Sequence, residues 1–208
     1  IVIGNAGYGL FVVNPEQQKK FPGFDKIDNS SNLSDERLAK NLLTNYCLYT
    51  DRNDITYIGN DRGVFSVNTV HQVFKKHENI FGAPVSSVVK RNISASQYRY
   101  YVSFSYNGGL QILDESFNKI TANPTVPPYP SKPKSSFVSS IYADHKNQLW
   151  VCTNNGLYLY NDLKDNFKPF LHDDRNTNSI KYDGITSIIQ DHSGVYWIGF
   201  FAHGFQCY

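Results

Sequence analysis

A chain in which one order of residue types returns at a fixed interval is tightly constrained. Each copy must build the same local structure and bury its apolar face against the next copy. The order is clearest in residues Ile185 to Tyr208, ITSIIQDHSGVYWIGFFAHGFQCY. An apolar run (Ile185 to Ile189) meets a polar punctuation (Asp191, His192, Ser193, Gly194), then an aromatic run ending in Trp197 to Gly199, a second turn closing on Gly204, and a third apolar run. Short apolar runs bounded by Gly, Asp and Ser predict a three-stranded antiparallel meander.

Val138 to Tyr160 repeats this order almost slot for slot, with Asp144 for Asp191, Trp150 for Trp197 and Gly156 for Gly204. Asn45 to Val67 carries Asp51, Tyr57, Gly59 and Gly63 in the same slots, where Gly59 corresponds to Gly199. Val85 to Leu113 carries Tyr101 and Gly109, with Arg91 in the Asp slot and four extra residues in its first hairpin, around Asn92 to Gln97. Ile1 to Val13 shows the second half only. The anchors Val2, Tyr57, Tyr101, Trp150 and Trp197 are separated by 55, 44, 49 and 47 residues, a spacing that suits a propeller blade of four antiparallel strands.

The expected fold is therefore all-β, a β-propeller in one domain over residues 1–208, with blades at about 45–74, 85–121 and 137–171 and blade remnants at 1–24 and 185–208. Those strands fall short of a seven-bladed ring, so the expectation is an incomplete arc of four to five blades cut inside a blade at each end, its exposed faces open to association of two copies. Tyr 15, Phe 14 and Gly 14 fit many short strands joined by tight turns. Ser34, Asp35 and Glu36, with Leu33 and Leu38 spaced as a hydrophobic staple, predict one short helix over about 35–42. Thr69 to Phe74 reads as an outer strand, and the proline-dense stretch 122–134 as an extended connection.

The same register assigns most chemistry-bearing residues to structural slots. Asp51, Asp144 and Asp191 each begin a hairpin turn, where a carboxylate can accept backbone N–H groups two residues on. Trp150 and Trp197 are expected as equivalent core residues, each packed between its own blade and a neighbour, with Tyr57 and Tyr101 in the same slot of other repeats. Cys47, Cys152 and Cys207 fall on different strands of different blades and read as small slot-fillers, so neither a disulfide nor a metal site is expected. No catalytic constellation emerges: carboxylates cluster only in connections such as Asp173, Asp174 and Asp183, and His172, His192 and His203 are scattered. No cofactor is expected. A net charge of +2 gives no basic excess for nucleic acid, and no apolar run nears the roughly 20 residues that span a bilayer, so this segment is not expected to enter a membrane.

The segment FLHDDRNTNSIKYDGITSIIQDHSGVYWIG resembles the two-component regulator propeller repeat, whose pattern runs F-x-H-D-P-x-N-x-x-S-L, then I-x-S-I-x-x-D-x-x-G-x-L-W-I-G-T and a Gly-rich turn. Asp174, Ile180 and Phe200 depart from its Pro, Leu and Thr. The resemblance implies the periplasmic sensor region of a hybrid two-component regulator, non-catalytic itself. Further blades, a small β-sandwich, one membrane span and a cytoplasmic histidine kinase would complete the parent protein. It also implies an oligosaccharide from polysaccharide breakdown as ligand.

In a propeller, the turns between second and third strands emerge on one face together with the connections between blades. Five such turns place Tyr8, Arg62, Tyr106, Asn154, Phe201 and His203 between fixed glycines, a set of aromatic and polar groups suited to recognition of a sugar. Two other readings are a propeller-based carbohydrate-active lyase or hydrolase, which needs a carboxylate or His–Tyr pair beside the channel, and a protein-binding scaffold, which needs a broad apolar patch.

Overall fold

The computed structural model describes residues 2–5, 9–12, 45–61, 63–68, 73–77, 80, 84–105, 109–120 and 137–208. Among them every regular element is a strand. Five sheets follow one another along the chain, each a meander in sequence order. The first pairs β1 (Val2–Asn5) with β2 (Gly9–Val12). The second contains β3 (Asn45–Thr50), β4 (Ile55–Asn60), β5 (Gly63–Asn68) and β6 (Val73–His77). The third contains β7 (Val85–Asn92), β8 (Tyr98–Phe104) and β9 (Leu110–Leu113). The fourth contains β10 (Val138–Ala143), β11 (Leu149–Thr153), β12 (Gly156–Asn161) and β13 (Asn166–Phe170). The fifth contains β14 (Ile185–Gln190), β15 (Tyr196–Phe200) and β16 (Phe205–Cys207). The chain forms two compact units, Ile1–Val88 and Val89–Tyr208, with the division inside β7.

The pairing confirms the repeat register. Opposite the five anchors lie Val12, Ser66, Ile112, Leu159 and Cys207, one residue in each sheet. The outer strand of the second sheet runs Val73–His77 rather than Thr69–Phe74, because Val67 pairs with Phe74 and Val64 with His77. That register lets His77 Nε2 and Ser66 Oγ meet at 3.0 Å in the interior, where burial lowers the imidazole pKa to about 4 and keeps it neutral. In the third sheet, the four strands expected within 85–121 are three. A bridge from Leu113 to Lys119 and a bond from Ile120 N–H to the Ile112 carbonyl follow the last of them. The helix expected over 35–42, the strands expected over 13–24, the connection 122–134, and Tyr8, Arg62 and Tyr106 lie outside the described residues.

One turn closes the first hairpin of three sheets. Oδ1 of Asp51, Asp144 and Asp191 accepts the N–H groups two and four residues on, at 2.8 to 3.1 Å. The third position of each turn (Asp54, Asn147, Gly194) has positive φ, a conformation that Asp, Asn and Gly tolerate best. Asp114 builds the same turn after β9, with Ser116 and Asn118 as donors. There the positive φ falls on Phe117, a bulky side chain held by stacking on Tyr100 at a 4.0 Å centroid distance. In the Trp-bearing copies Oδ2 also accepts the indole N–H six residues on, at 2.9 Å in Trp150 and 2.8 Å in Trp197.

Within the second unit the fourth sheet is buried on both faces. Leu149 and Val151 pack with Val89, Tyr101, Leu110 and Ile112 of the third sheet, while Trp150 and Cys152 pack with Ile185, Ile188, Ile198 and Phe200 of the fifth. Every residue of β11 is therefore buried, and the polar–apolar alternation of a one-sided strand disappears. The first strands carry a further shared feature: β3, β10 and β14 each slip register by one residue, opposite Gly59, Cys152 and Gly199 respectively. In β10 the bulge lets Ser139 Oγ and Ser140 Oγ donate to the Ile185 and Thr186 carbonyls of the next sheet, at 2.6 and 2.9 Å. Gly59 and Gly199 are glycines by close approach: a Cβ there would meet Cys47 Sγ and Val85, or Ser187 Oγ.

One sequence expectation needs correction. Trp150 and Trp197 are not equally buried: Trp150 is 6 % exposed, between Phe170 and Tyr196 with both centroids at 5.2 Å, whereas Trp197 is 37 % exposed. The one aromatic ring that meets Trp197 among the described residues is Phe205 of its own sheet, at 5.6 Å. Arg91, which stands in the Asp slot of the third repeat, makes contacts of its own. Its guanidinium is 5 % exposed and pairs with Asp162 at 3.0 Å, donates to the Asn147 carbonyl at 2.6 and 2.9 Å, and lies over the Tyr101 ring at 4.8 Å. Each of these partners but Tyr101 sits in a hairpin turn of the fourth sheet.

Candidate functional site

One connection, residues 171–184 between β13 and β14, docks on the two turns that carry the candidate residues Asn154, Phe201 and His203. Its last two residues bind both neighbouring turns through the backbone. The Asp183 carbonyl accepts Gly156 N–H at 2.6 Å, and the Gly184 carbonyl accepts Phe201 N–H at 2.9 Å. The first bond fixes the Asn154 turn, which is braced further by Thr153 Oγ1 on Asn155 N–H and by the Tyr158 hydroxyl on the Asn155 carbonyl. The second fixes the turn bearing Phe201 and His203, closed by Phe200 N–H on the Gly204 carbonyl at 2.8 Å. Gly156 has a φ of 115°, and a Cβ there would strike Leu171 and the Phe170 carbonyl, so only glycine lets that turn dock.

On this frame stands a layer of rings. Tyr182 stacks on His203 with centroids 4.2 Å apart and planes 15° apart, meets Phe200 edge-on at 5.4 Å, and has His172 stacked at 6.5 Å. Tyr182 is 42 % exposed and Phe201 74 %. His203 is exposed as well, and so is Asn154 in the other turn that docks on this connection. His172 is anchored on every side: its N–H donates to Asp183 Oδ1 at 2.7 Å, its Nδ1 to the Ile180 carbonyl at 2.8 Å, and its Nε2 faces Asp174 Oδ1 at 2.9 Å. A carbonyl can only accept, so Nδ1 carries a proton; that bond first, and Asp174 second, raise the pKa of this ring.

Three of the six recognition residues read from sequence, Asn154, Phe201 and His203, thus share one connection, and the other three lie outside the described residues. Tyr182 and His172 complete the layer without having been singled out. Their only signal is position, since the connection between blades shares its face with the turns. Among the described residues no group of three or more His, Cys, Asp or Glu side chains could hold a metal ion. Burial pushes the Cys47 and Cys152 thiols up to about 12, far from thiolate chemistry. Flat apolar faces edged by hydrogen-bonding groups are what the layer offers.

Residues 132–155, from the approach to β10 through Trp150 to the Asn154 turn, match the two component regulator propeller family. The chain carries a two-component regulator propeller repeat. This repeat holds the Asp144 turn and its Trp150 bond, the features that recur around Asp191 and Trp197. No curated protein matches the chain by sequence. Among solved structures, the extracellular domain of BT4673 of B. thetaiotaomicron, a putative one component or hybrid two component system, aligns with TM-scores of 0.68 and 0.65 at 17 and 18 % identity, over 99 % of this chain and 25 % of that one. PorZ, a surface component of the type-IX secretion system of Porphyromonas gingivalis, aligns with a TM-score of 0.64 at 16 % identity, over 99 % of this chain and 29 % of that one. Virginiamycin B lyase of Staphylococcus aureus aligns with a TM-score of 0.56 at 10 % identity, over 97 % and 63 %. The chain spans about a quarter of the length of the first of these relatives, and at such identities the likeness establishes the β-propeller fold.

Proposed function

We propose that this chain is a non-catalytic, ligand-sensing part of the extracytoplasmic region of a two-component signalling receptor, in the periplasm, and that its turn face recognises an oligosaccharide. The observation that carries the reading is the exposed stack of Tyr182 on His203, with Phe201 exposed in the same turn as His203, where backbone bonds tie the turns to Asp183 and Gly184. Sugars present apolar C–H faces and hydroxyl edges, and aromatic rings supply the stacking surface at about 0.5 to 1.5 kcal/mol per contact on the scale of aromatic pairs. Asn154 and the His203 edge supply hydrogen bonds. The regulator-propeller repeat and the fold shared with an extracellular domain of a putative hybrid two component system support the signalling context. The remaining blades, the downstream domains and a histidine kinase of the parent protein are its partners in this reading. By sequence register Tyr8, Arg62 and Tyr106 fall in the equivalent turns of other repeats and are further candidates for ligand contact.

Titrating the complete extracytoplasmic region with a panel of neutral and weakly acidic oligosaccharides by calorimetry tests this, with wild type beside Tyr182→Ala and Phe201→Ala. A few ring contacts imply micromolar to millimolar affinity. Loss of at least threefold in both variants is expected. A ligand that binds both variants like wild type places recognition elsewhere.

A further inference from the structure

A second face of the repeat array has a chemistry of its own. Where the third and fourth sheets meet, on the hairpin side, a cleft of about 390 Å³ is lined by Arg91, Lys146, Lys168, Asp162, Tyr160 and Leu163, with backbone and side chains of the Asn147 turn. Three cations face one carboxylate. That carboxylate is already occupied: Asp162 Oδ1 accepts Arg91 Nη1 at 3.2 Å and the Tyr101 hydroxyl at 2.7 Å, and Oδ2 accepts Arg91 Nη2 at 3.0 Å. Asp165 stands behind the cleft, accepting the Tyr160 hydroxyl at 2.6 Å, and even with it the balance stays positive. Arg91 makes four hydrogen bonds from its five N–H groups, so one N–H on Nη1 has no acceptor among the described residues. Lys146 and Lys168 are exposed, with no carboxylate partner among the described residues; Lys168 Nζ lies 5.1 Å from the Phe170 ring centre. Leu163, 98 % exposed, gives the rim an apolar edge. A larger open cleft of about 580 Å³ near Tyr98 lacks this imbalance, because Arg99 and Lys119 there stand against Asp114 and Glu115.

We infer that the Arg91 cleft is a binding site for an oxyanion, the carboxylate or sulfate ester of a small organic molecule about the size of one sugar residue. The rigid guanidinium at its floor supplies a fixed positive field with no reorganisation on binding, and the two lysines close over the ligand from the rim. The volume suits a monosaccharide, and the Leu163 edge suits an apolar ring face rather than a bare ion. This inference is independent of the ring layer near Tyr182 and stands or falls without it.

The test is calorimetric titration of the full-length protein with glucuronate, with glucose 6-sulfate and, as neutral control, with glucose, repeated in Lys146→Gln/Lys168→Gln and in Lys119→Gln, an exposed lysine of the other cleft. At least one of the two anions should bind more tightly than glucose. The double lysine variant should weaken that binding at least tenfold, Lys119→Gln should leave it unchanged, and added salt should weaken it further. Both lysines are exposed, so the double variant is expected to unfold at the same denaturant concentration as wild type. Two results would overturn the inference: neither anion binding better than glucose, or the double lysine variant binding like wild type.

Discussion

The fourth and fifth repeats carry the same Asp–Trp pair, six residues apart and joined by the same bond, yet they place it in different environments. In the fourth, Asp144 Oδ2 accepts Trp150 Nε1 at 2.9 Å and also the hydroxyl of Tyr196, from the next sheet, at 2.7 Å. In the fifth, Asp191 Oδ2 accepts Trp197 Nε1 at 2.8 Å, and Ser193 of its own turn donates to Oδ1 at 2.6 Å. Tyr142 extends the clasp of the fourth repeat by accepting Gln190 N–H at 3.1 Å, while Gln190 Oε1 accepts His145 N–H at 3.0 Å. A repeat motif therefore has two layers of meaning. The turn and the indole bond are made within the repeat and hold wherever it occurs. Burial of the indole is made by the neighbour, and Ile189, Trp197 and Phe205 are 56, 37 and 70 % exposed on the fifth sheet's outer face.

The sharpest way to break this comparison is to delete both rings in turn. Trp150→Ala removes a ring packed on both faces and should cost about 3 to 5 kcal/mol in urea unfolding. Trp197→Ala should cost less than half as much. Equal losses would show that the fifth-repeat ring is as enclosed in solution as the fourth.

A smaller effect isolates the neighbour's contribution. Tyr196→Phe keeps the ring edge-on to Trp150 and removes only the hydroxyl bond to Asp144, for an expected loss of about 1 kcal/mol. In an Asp144→Ala background the same change should cost almost nothing, because the acceptor is gone; a double-mutant cycle reads the difference. An undiminished cost in that background would mean that the hydroxyl acts through another group.

The smallest effect is acid sensitivity. Hydrogen bonds from Ser193 and Trp197 lower the Asp191 pKa to about 2, and those from Tyr196, Gln148, Trp150 and Lys146 lower that of Asp144 against the opposing effect of burial. With folded pKa values below the unfolded 3.8, the unfolded chain binds more protons between the two values, so stability present above pH 4 is lost as pH falls toward 2. Urea midpoints taken across that range should fall less steeply in Asp191→Asn and in Asp144→Asn than in wild type. Parallel curves for all three would remove these carboxylates from the acid response.

The turns were legible in sequence because a carboxylate that accepts two backbone N–H groups must stand at a fixed offset from them, and Asp51, Asp144 and Asp191 do. The anchors and the slots opposite them followed from the same register, down to Cys207 opposite Trp197. What escaped was set by neighbours or by single-residue shifts. The exposure of Trp197 depends on what packs against its sheet, not on the residues around it. The bulges opposite Gly59, Cys152 and Gly199 change no residue type that a pattern would register. The role of Arg91 was invisible because its partners Asn147 and Asp162 lie 56 and 71 residues away. At the candidate site, Phe201, His203 and Asn154 stood out as side chains between glycines. Tyr182 joins them through carbonyls of Asp183 and Gly184, and backbone acceptors leave no mark in composition.

Look-alike repeats carry a hazard in folding, since any blade can dock on the wrong neighbour and be trapped there. The Asp–Trp turn offers no protection between the fourth and fifth repeats, because both carry it. Arg91 does: its charge is opposite to that of the aspartate found in the other copies, and it fits only a sheet that offers the Asn147 carbonyl and the Asp162 carboxylate together. One residue that departs from the consensus thus works as an address, matching this side of the third sheet to the fourth.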